Sequence, residues 1–221
     1  MIVVIQCAAR KSAQAGYFQN RRGQKVLFVA RPDKAPQSAS VLYARPDDAS
    51  DEGPSWRDLV LRCNETTENN PFDLLSAITL YAHPVYQRLA DALGRNNVYA
   101  LWAGWGMISA DFLTPIYDIT FSPSAEPYKR RRRMDRYNDF FMLPNDVNEC
   151  VCFIGRKDYV PLFVGLTKAV RSPRIIFYNS VSRTNAPGCT LKRFETNTRT
   201  NWHYECAQLI AAGQVGGTEM P

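Results

Sequence analysis

A chain of 221 residues with 45% hydrophobic and 22% charged side chains is long enough for one substantial core and has the make-up of an ordinary globular domain. No apolar run approaches the ~20 residues a membrane-spanning helix needs. The short apolar start, MIVVIQ, has no basic segment ahead of it, which argues against a signal peptide and for a cytoplasmic protein. A formal net charge of +6 favours an anionic partner.

The chain opens on Ile2 to Gln6, an apolar, β-branched run that reads as a strand buried on both faces in a parallel sheet. It ends in Cys7-Ala8-Ala9-Arg10-Lys11. Ligands of open α/β sheets sit beyond the carboxyl ends of the strands, so Arg10 and Lys11 are candidate phosphate contacts. Gln24 to Arg31 predicts a second strand, stopped by Pro32. Residues 32–54 lack an apolar period and predict a long surface loop able to serve as a lid. Trp56 to Cys63 predicts a short helix, and Pro71 to Ala82 another, with Asn70 as cap and Leu74, Leu75 and Ile78 turned inward. Val85 to Leu93 predicts a helix stopped at Gly94.

Val98 to Ala103 predicts the next strand, which feeds the stretch that organises the chain, Tyr99 to Phe121. There an apolar run breaks at Gly104-Trp105-Gly106 into a loop holding Asp111, Phe112, Tyr117 and Asp118. Residues 122–148 read as an insertion carrying the one dense basic block, Lys129-Arg130-Arg131-Arg132-Arg133. Tyr128, Tyr137, Phe140 and Phe141 flank it, a mixture that suits phosphate contact and base stacking. Glu149 to Ile154 predicts a strand, and Gly155 to Tyr159 turns it into a helix, with Arg156 a further phosphate candidate. Arg174 to Tyr178 predicts a strand and Asn201 to Ala212 a final helix, in which His203 reads as a surface or packing residue. Strands alternating with helices predict a single α/β domain, a three-layer sandwich around a mainly parallel central sheet.

Six scattered cysteines read as reduced thiols, and with only two histidines the sequence calls for no metal and no cofactor. No Walker loop, GxSxG elbow or HExxH motif is present, which removes the commonest nucleotide hydrolase, esterase and zinc protease readings. Three strand ends, Cys7 to Lys11, Gly104 to Asp118 and Gly155 to Tyr159, fall on one edge of such a sheet. An enzyme acting on a nucleobase needs a planar slot and a carboxylate near the sugar. Trp105, Phe112 and Tyr117 are the candidate slot, with Gly104 allowing close approach. Asp118 is the first candidate for stabilising positive charge at the anomeric carbon and orienting water, and Asp111 the second. Either aspartate also suits a turn or a helix cap.

The strand end Cys7-Ala8-Ala9-Arg10-Lys11, the run Ser109-Ala110-Asp111-Phe112-Leu113 leading to Pro115-Ile116-Tyr117-Asp118, and the turn Ile154-Gly155-Arg156-Lys157-Asp158-Tyr159 together resemble the YaaA-related, uracil-DNA-glycosylase-like domains. The resemblance spans about residues 1–170. It implies a three-layer α/β fold and base recognition in DNA or modified nucleic acid, including defence against phages whose DNA carries modified bases. The chain lacks the Gly-Gln-Asp-Pro-Tyr and His-Pro-Ser motifs of true uracil-DNA glycosylases, so its own carboxylates would have to supply the chemistry. The expected function is a DNA glycosylase that flips and excises a modified base; the alternative is a non-catalytic DNA-binding protein of the stress-response type.

Overall fold

The computed structural model describes residues 1–66, 70–144, 146–181, 184–198 and 200–215. Its strands are β1 (Ile2–Gln6), β2 (Lys25–Phe28), β3 (Val41–Ala44), β4 (Leu75–Ser76), β5 (Val98–Trp102), β6 (Gly106–Ser109), β7 (Leu113–Thr114), β8 (Phe140–Phe141), β9 (Val151–Ile154), β10 (Arg174–Tyr178) and β11 (Thr190–Arg193). Its α-helices are α1 (Trp56–Glu65), α2 (Val85–Leu93), α3 (Val160–Leu166) and α4 (Trp202–Ala211). The apolar, β-branched β1 is buried along its whole length because it lies between β5 and β9, parallel to both. Outward from it runs a seven-stranded sheet in the order β11-β10-β9-β1-β5-β6-β8, parallel except for the β5–β6 hairpin. The domain is therefore α/β with a mostly parallel central sheet. Helices α2 and α4 pack on each other and against β5 and β9 respectively, while α3 meets β6.

Local chemistry accounts for the helix ends. Ser55 accepts from the Asp58 amide while the Asp58 carboxylate accepts from the Ser55 amide, a reciprocal cap that starts α1. Gly94, at φ 84°, stops α2 as expected.

Four expectations are corrected. Residues 71–82 do not form a helix. The Asn70 side chain bonds both the amide and the carbonyl of Leu74, closing a turn that competes with helix, and Leu75–Ser76 pairs with β7 instead. Residues 32–54 are not a loose loop or lid, since Val41–Ala44 forms a parallel pair with β2. The break at Gly104-Trp105-Gly106 is a hairpin turn rather than a ligand approach. Gly106 has φ 91° there, and a Cβ on it would lie 2.4 Å from the Phe140 carbonyl oxygen. Within 122–148, Phe140–Phe141 is the edge strand of the central sheet and Thr120 bridges to Arg130, so this segment is woven into the fold.

That weave depends on Arg131. Its guanidinium makes two bonds of 2.7 Å to the Asp139 carboxylate and a third, 2.8 Å, to the Ala103 carbonyl at the end of β5. It also lies 3.9 Å from the centre of the Tyr137 ring. The pair is buried, with side-chain exposures of 7% and 10%. Removing one partner of a buried pair leaves the other charge uncompensated, which typically costs about 3–5 kcal/mol. Arg131→Met should therefore lower unfolding free energy in urea by about 3 kcal/mol or more, whereas exposed Arg133→Met should change it by less than about 0.5 kcal/mol. Equal effects at the two positions would contradict the clamp.

Candidate functional site

The carboxyl ends of β1, β9 and β10 open into a cavity of about 1100 Å³. Its far walls are the segment Asp118–Thr120, the loop 122–129 and the start of α4. The floor is built on Gln6, a buried polar residue closing an otherwise apolar strand. Its Oε1 accepts from the Arg156 amide at 2.6 Å and its backbone carbonyl accepts from the Tyr86 hydroxyl at 2.7 Å. With Oε1 so engaged, Nε2 is the donor toward His203 Nε2, 3.4 Å away. The imidazole then carries its proton on Nδ1, which has no partner among the described residues. Burial first, then the electrostatic influence of Arg156 and His83, hold His203 down from 6.5 to about 4, so it is neutral at physiological pH.

Just beyond β1, Cys7 Sγ lies 3.0 Å from the Tyr159 hydroxyl. Tyr81 and Tyr117 share a 2.7 Å hydroxyl pair, and burial pushes both phenols well above the ordinary tyrosine value, so they stay neutral. The chain then leaves the sheet but is not loose. Lys11 forms a bridge with Tyr81, and the Ser12 amide bonds the Leu80 carbonyl at 2.7 Å, which fixes Arg10 and Lys11 at the cavity.

Asp118 is held equally firmly. Its amide bonds the Phe28 carbonyl at 2.7 Å, and two residues on, the Thr120 amide bonds the Lys129 carbonyl at 2.9 Å. This ladder sets Lys129 opposite Asp118, where its ammonium meets Asp118 Oδ2 at 2.9 Å and Glu126 Oε2 at 2.6 Å. The bonds to Glu126 and then Asp118 raise the Lys129 pKa, keeping it charged. Five cations line the cavity among the described residues: Arg10, Lys11, Lys129, Arg156 and Lys157. Against them stand three carboxylates, Asp118, Glu126 and Asp158, so the lining carries a positive excess.

The predicted residues divide sharply. Asp118, Arg10, Lys11, Lys129 and Arg156 come together in the cavity. Trp105, Phe112 and Tyr117 do not line it; all three are buried in the core. From Ile116 to Thr120 burial alternates, because successive side chains of an extended segment point to opposite sides. Tyr117 therefore goes into the core while Asp118 and Thr120 face the cavity, and the buried Ile119 between them also lines it. Gly104 also lies elsewhere, and a Cβ on it would meet Ile119 Cδ1 at 2.7 Å, so it serves packing. Asp111 is exposed, outside the cavity, and paired with Arg95. Of the basic block beyond Lys129, Arg131 is the buried clamp, Arg132 pairs with Asp135 at 3.0 Å, and Arg130 donates to the Pro123 carbonyl at 2.9 Å. Neither these nor Arg133 line the cavity.

Planar side chains do line it, from segments whose sequence suggested structural roles and not the site. His83 and Tyr204 stack with centroids 4.0 Å apart, and Tyr178 and Trp202 stand at the same cavity. A polar glutamine closing an apolar strand was a visible signal for the floor. Nothing local marked His83 or α4 as parts of one site, which the fold brings together from distant positions in the chain.

Because burial lowers the His203 pKa in the folded state, the unfolded chain takes up that proton first as pH falls. Stability should then decline from about pH 6.5 to about pH 4 by as much as ~3 kcal/mol and no further below that on account of this group. His203→Gln should flatten that slope in denaturant titrations run at several pH values. An unchanged slope would mean that the imidazole is not held neutral.

Compared with protein-family models, curated proteins and solved structures, the chain matches none.

Proposed function

We propose that the protein is a DNA glycosylase on the uracil-DNA-glycosylase-like plan, hydrolysing the N-glycosidic bond of a flipped, modified nucleotide. The observation that carries this reading is Asp118, a rigidly held carboxylate in a deep cavity that otherwise has a positive excess. Small-molecule sites typically occupy roughly 300–1,000 Å³. A cavity of about 1100 Å³ therefore has room for a base, its sugar and a flanking phosphate.

In this reading the polymer's phosphates meet Arg10, Arg156 and Lys157 at the carboxyl edge of the sheet. The base enters the polar recess and stacks on the wall provided by Tyr178 and the His83–Tyr204 pair. As the glycosidic bond lengthens, positive charge grows on the sugar, and the Asp118 carboxylate stabilises it and orients the attacking water. Lys129, bonded to Asp118 and Glu126, holds the Asp118 carboxylate in place. The resemblance to domains that act on modified phage DNA and the room in the cavity support a bulky base over uracil.

The test is alkali-labile strand breakage, with mass spectrometry of released bases, on ordinary and base-modified duplexes. Wild-type protein should release a base from a modified duplex, and Asp118→Asn should slow release by about 10²–10⁴-fold, the usual worth of a positioned acid–base group. Asp111→Asn, outside the cavity, should leave the rate within about twofold. Intact strands on every substrate, or full activity in Asp118→Asn, would refute the proposal.

A further inference from the structure

We infer that Lys11 is an imine-forming nucleophile that gives the same cavity a lyase activity toward the aldehyde of an abasic sugar. The inference rests on the glycosylase reading for its place in the reaction sequence, because excision of a base generates that aldehyde, but its test does not need the base.

Three observations single out Lys11. Its backbone is fixed by the bridge to Tyr81, so the side chain starts from a rigid point at the carboxyl end of β1. Its Nζ lies over the Tyr117 ring, 4.3 Å from the centroid, and no carboxylate among the described residues stands within ion-pair distance of it. Lys129, by contrast, is tied to two carboxylates, and Lys157 is exposed. The groups that face Lys11 are Cys7 just beyond β1, Tyr81 and Tyr117 from the segments beneath it, and Asp118 and Lys129 from the opposite wall. Burial is the largest influence on Lys11 and lowers its pKa, Cys7 and Asp118 oppose this, and Lys129 adds to it. A desolvated, unpaired amine has a larger neutral fraction near pH 7 than a surface lysine, and only the neutral amine is nucleophilic.

The chemistry balances without a further reagent. The Lys11 amine adds to C1′ of the ring-opened sugar, and loss of one water leaves a C=N bond. Asp118 takes a proton from C2′. The electron pair moves to form the C2′=C3′ bond as the C3′–O bond breaks, and the 3′-phosphate leaves with that bond's electrons. One water then hydrolyses the imine, returning Lys11 and releasing the unsaturated aldehyde.

The probe is a duplex containing one natural abasic site, incubated with the full-length protein and sodium borohydride, which reduces an imine to a stable amine. Wild type should yield a covalent protein–DNA adduct and incise the strand 3′ to the site; peptide mapping by mass spectrometry should place the adduct on Lys11. Lys11→Arg should reduce trapping at least tenfold. No adduct with wild type, an adduct mapped to another residue, or undiminished trapping by Lys11→Arg would overturn the inference. Mapping uses wild-type protein alone, so a poorly folding variant does not weaken the test. Base release from modified DNA is scored separately: release without trapping removes the lyase and keeps the glycosylase, and Lys11 trapping without release from any duplex does the reverse.

Discussion

The hydrogen bonds of Gln6 are the constraint on which the site depends. A buried amide must satisfy both its oxygen and its nitrogen, and leaving one unmet costs about 1–3 kcal/mol. Gln6 meets that demand by reaching the Arg156 amide after β9 and the His203 ring on α4, while its own carbonyl takes the Tyr86 hydroxyl from α2. One residue thus locks the carboxyl ends of two adjacent strands to both helices that pack above them. Cys7 to Lys11, which follow directly, inherit a fixed direction into the cavity.

Around that lock the basic residues do two separate jobs. Arg57 and Arg131 are consumed by the architecture: Arg57 bonds the Gly104 and Trp105 carbonyls, Arg131 the Ala103 carbonyl, and each is neutralised by an aspartate. Backbone carbonyls at a tight hairpin need donors when buried, and a guanidinium supplies several at once. Arg10, Arg156 and Lys157 instead stand at the cavity, where their charge faces a ligand, while Lys129 there is held by Asp118 and Glu126. The number of basic residues in the chain therefore overstates its ligand-directed charge, since part of the arginine content is neutralised while holding the hairpin together.

Much of the fold was legible where the pattern was local. The β-branched run of β1, the strand Arg174 to Tyr178 and the Gly94 stop of α2 follow from side-chain type alone, and with them the parallel sheet and the position of Arg10 and Lys11. Asp118 was legible as a carboxylate in the loop after β5, without its segment being read as extended. Its companions were misread because adjacent residues of an extended segment cannot both face one pocket; putting Asp118 in the cavity sends Tyr117 to the core. The two-residue rule was available in the sequence, but which parity faced outward was set by the pairing of this segment with Phe28 and Lys129. Residues 71–82 failed for a different reason, a side-chain clamp at Asn70 that outcompetes helical spacing. The planar wall was not legible at all, because His83, Tyr178 and Tyr204 become neighbours of one cavity only after the sheet and helices assemble.

The central claim is that the cavity at the ends of β1, β9 and β10, and not the hairpin Gly104–Gly106 or the arginine run 130–133, receives nucleic acid. Hydrogen–deuterium exchange with and without a duplex carrying a non-cleavable abasic analogue tests this most directly. The account predicts slowed exchange in segments 7–12, 118–129 and 200–204, with residues 104–112 and 130–133 unaffected. Protection confined to residues 104–112 or 130–133, or no protection anywhere, would contradict it.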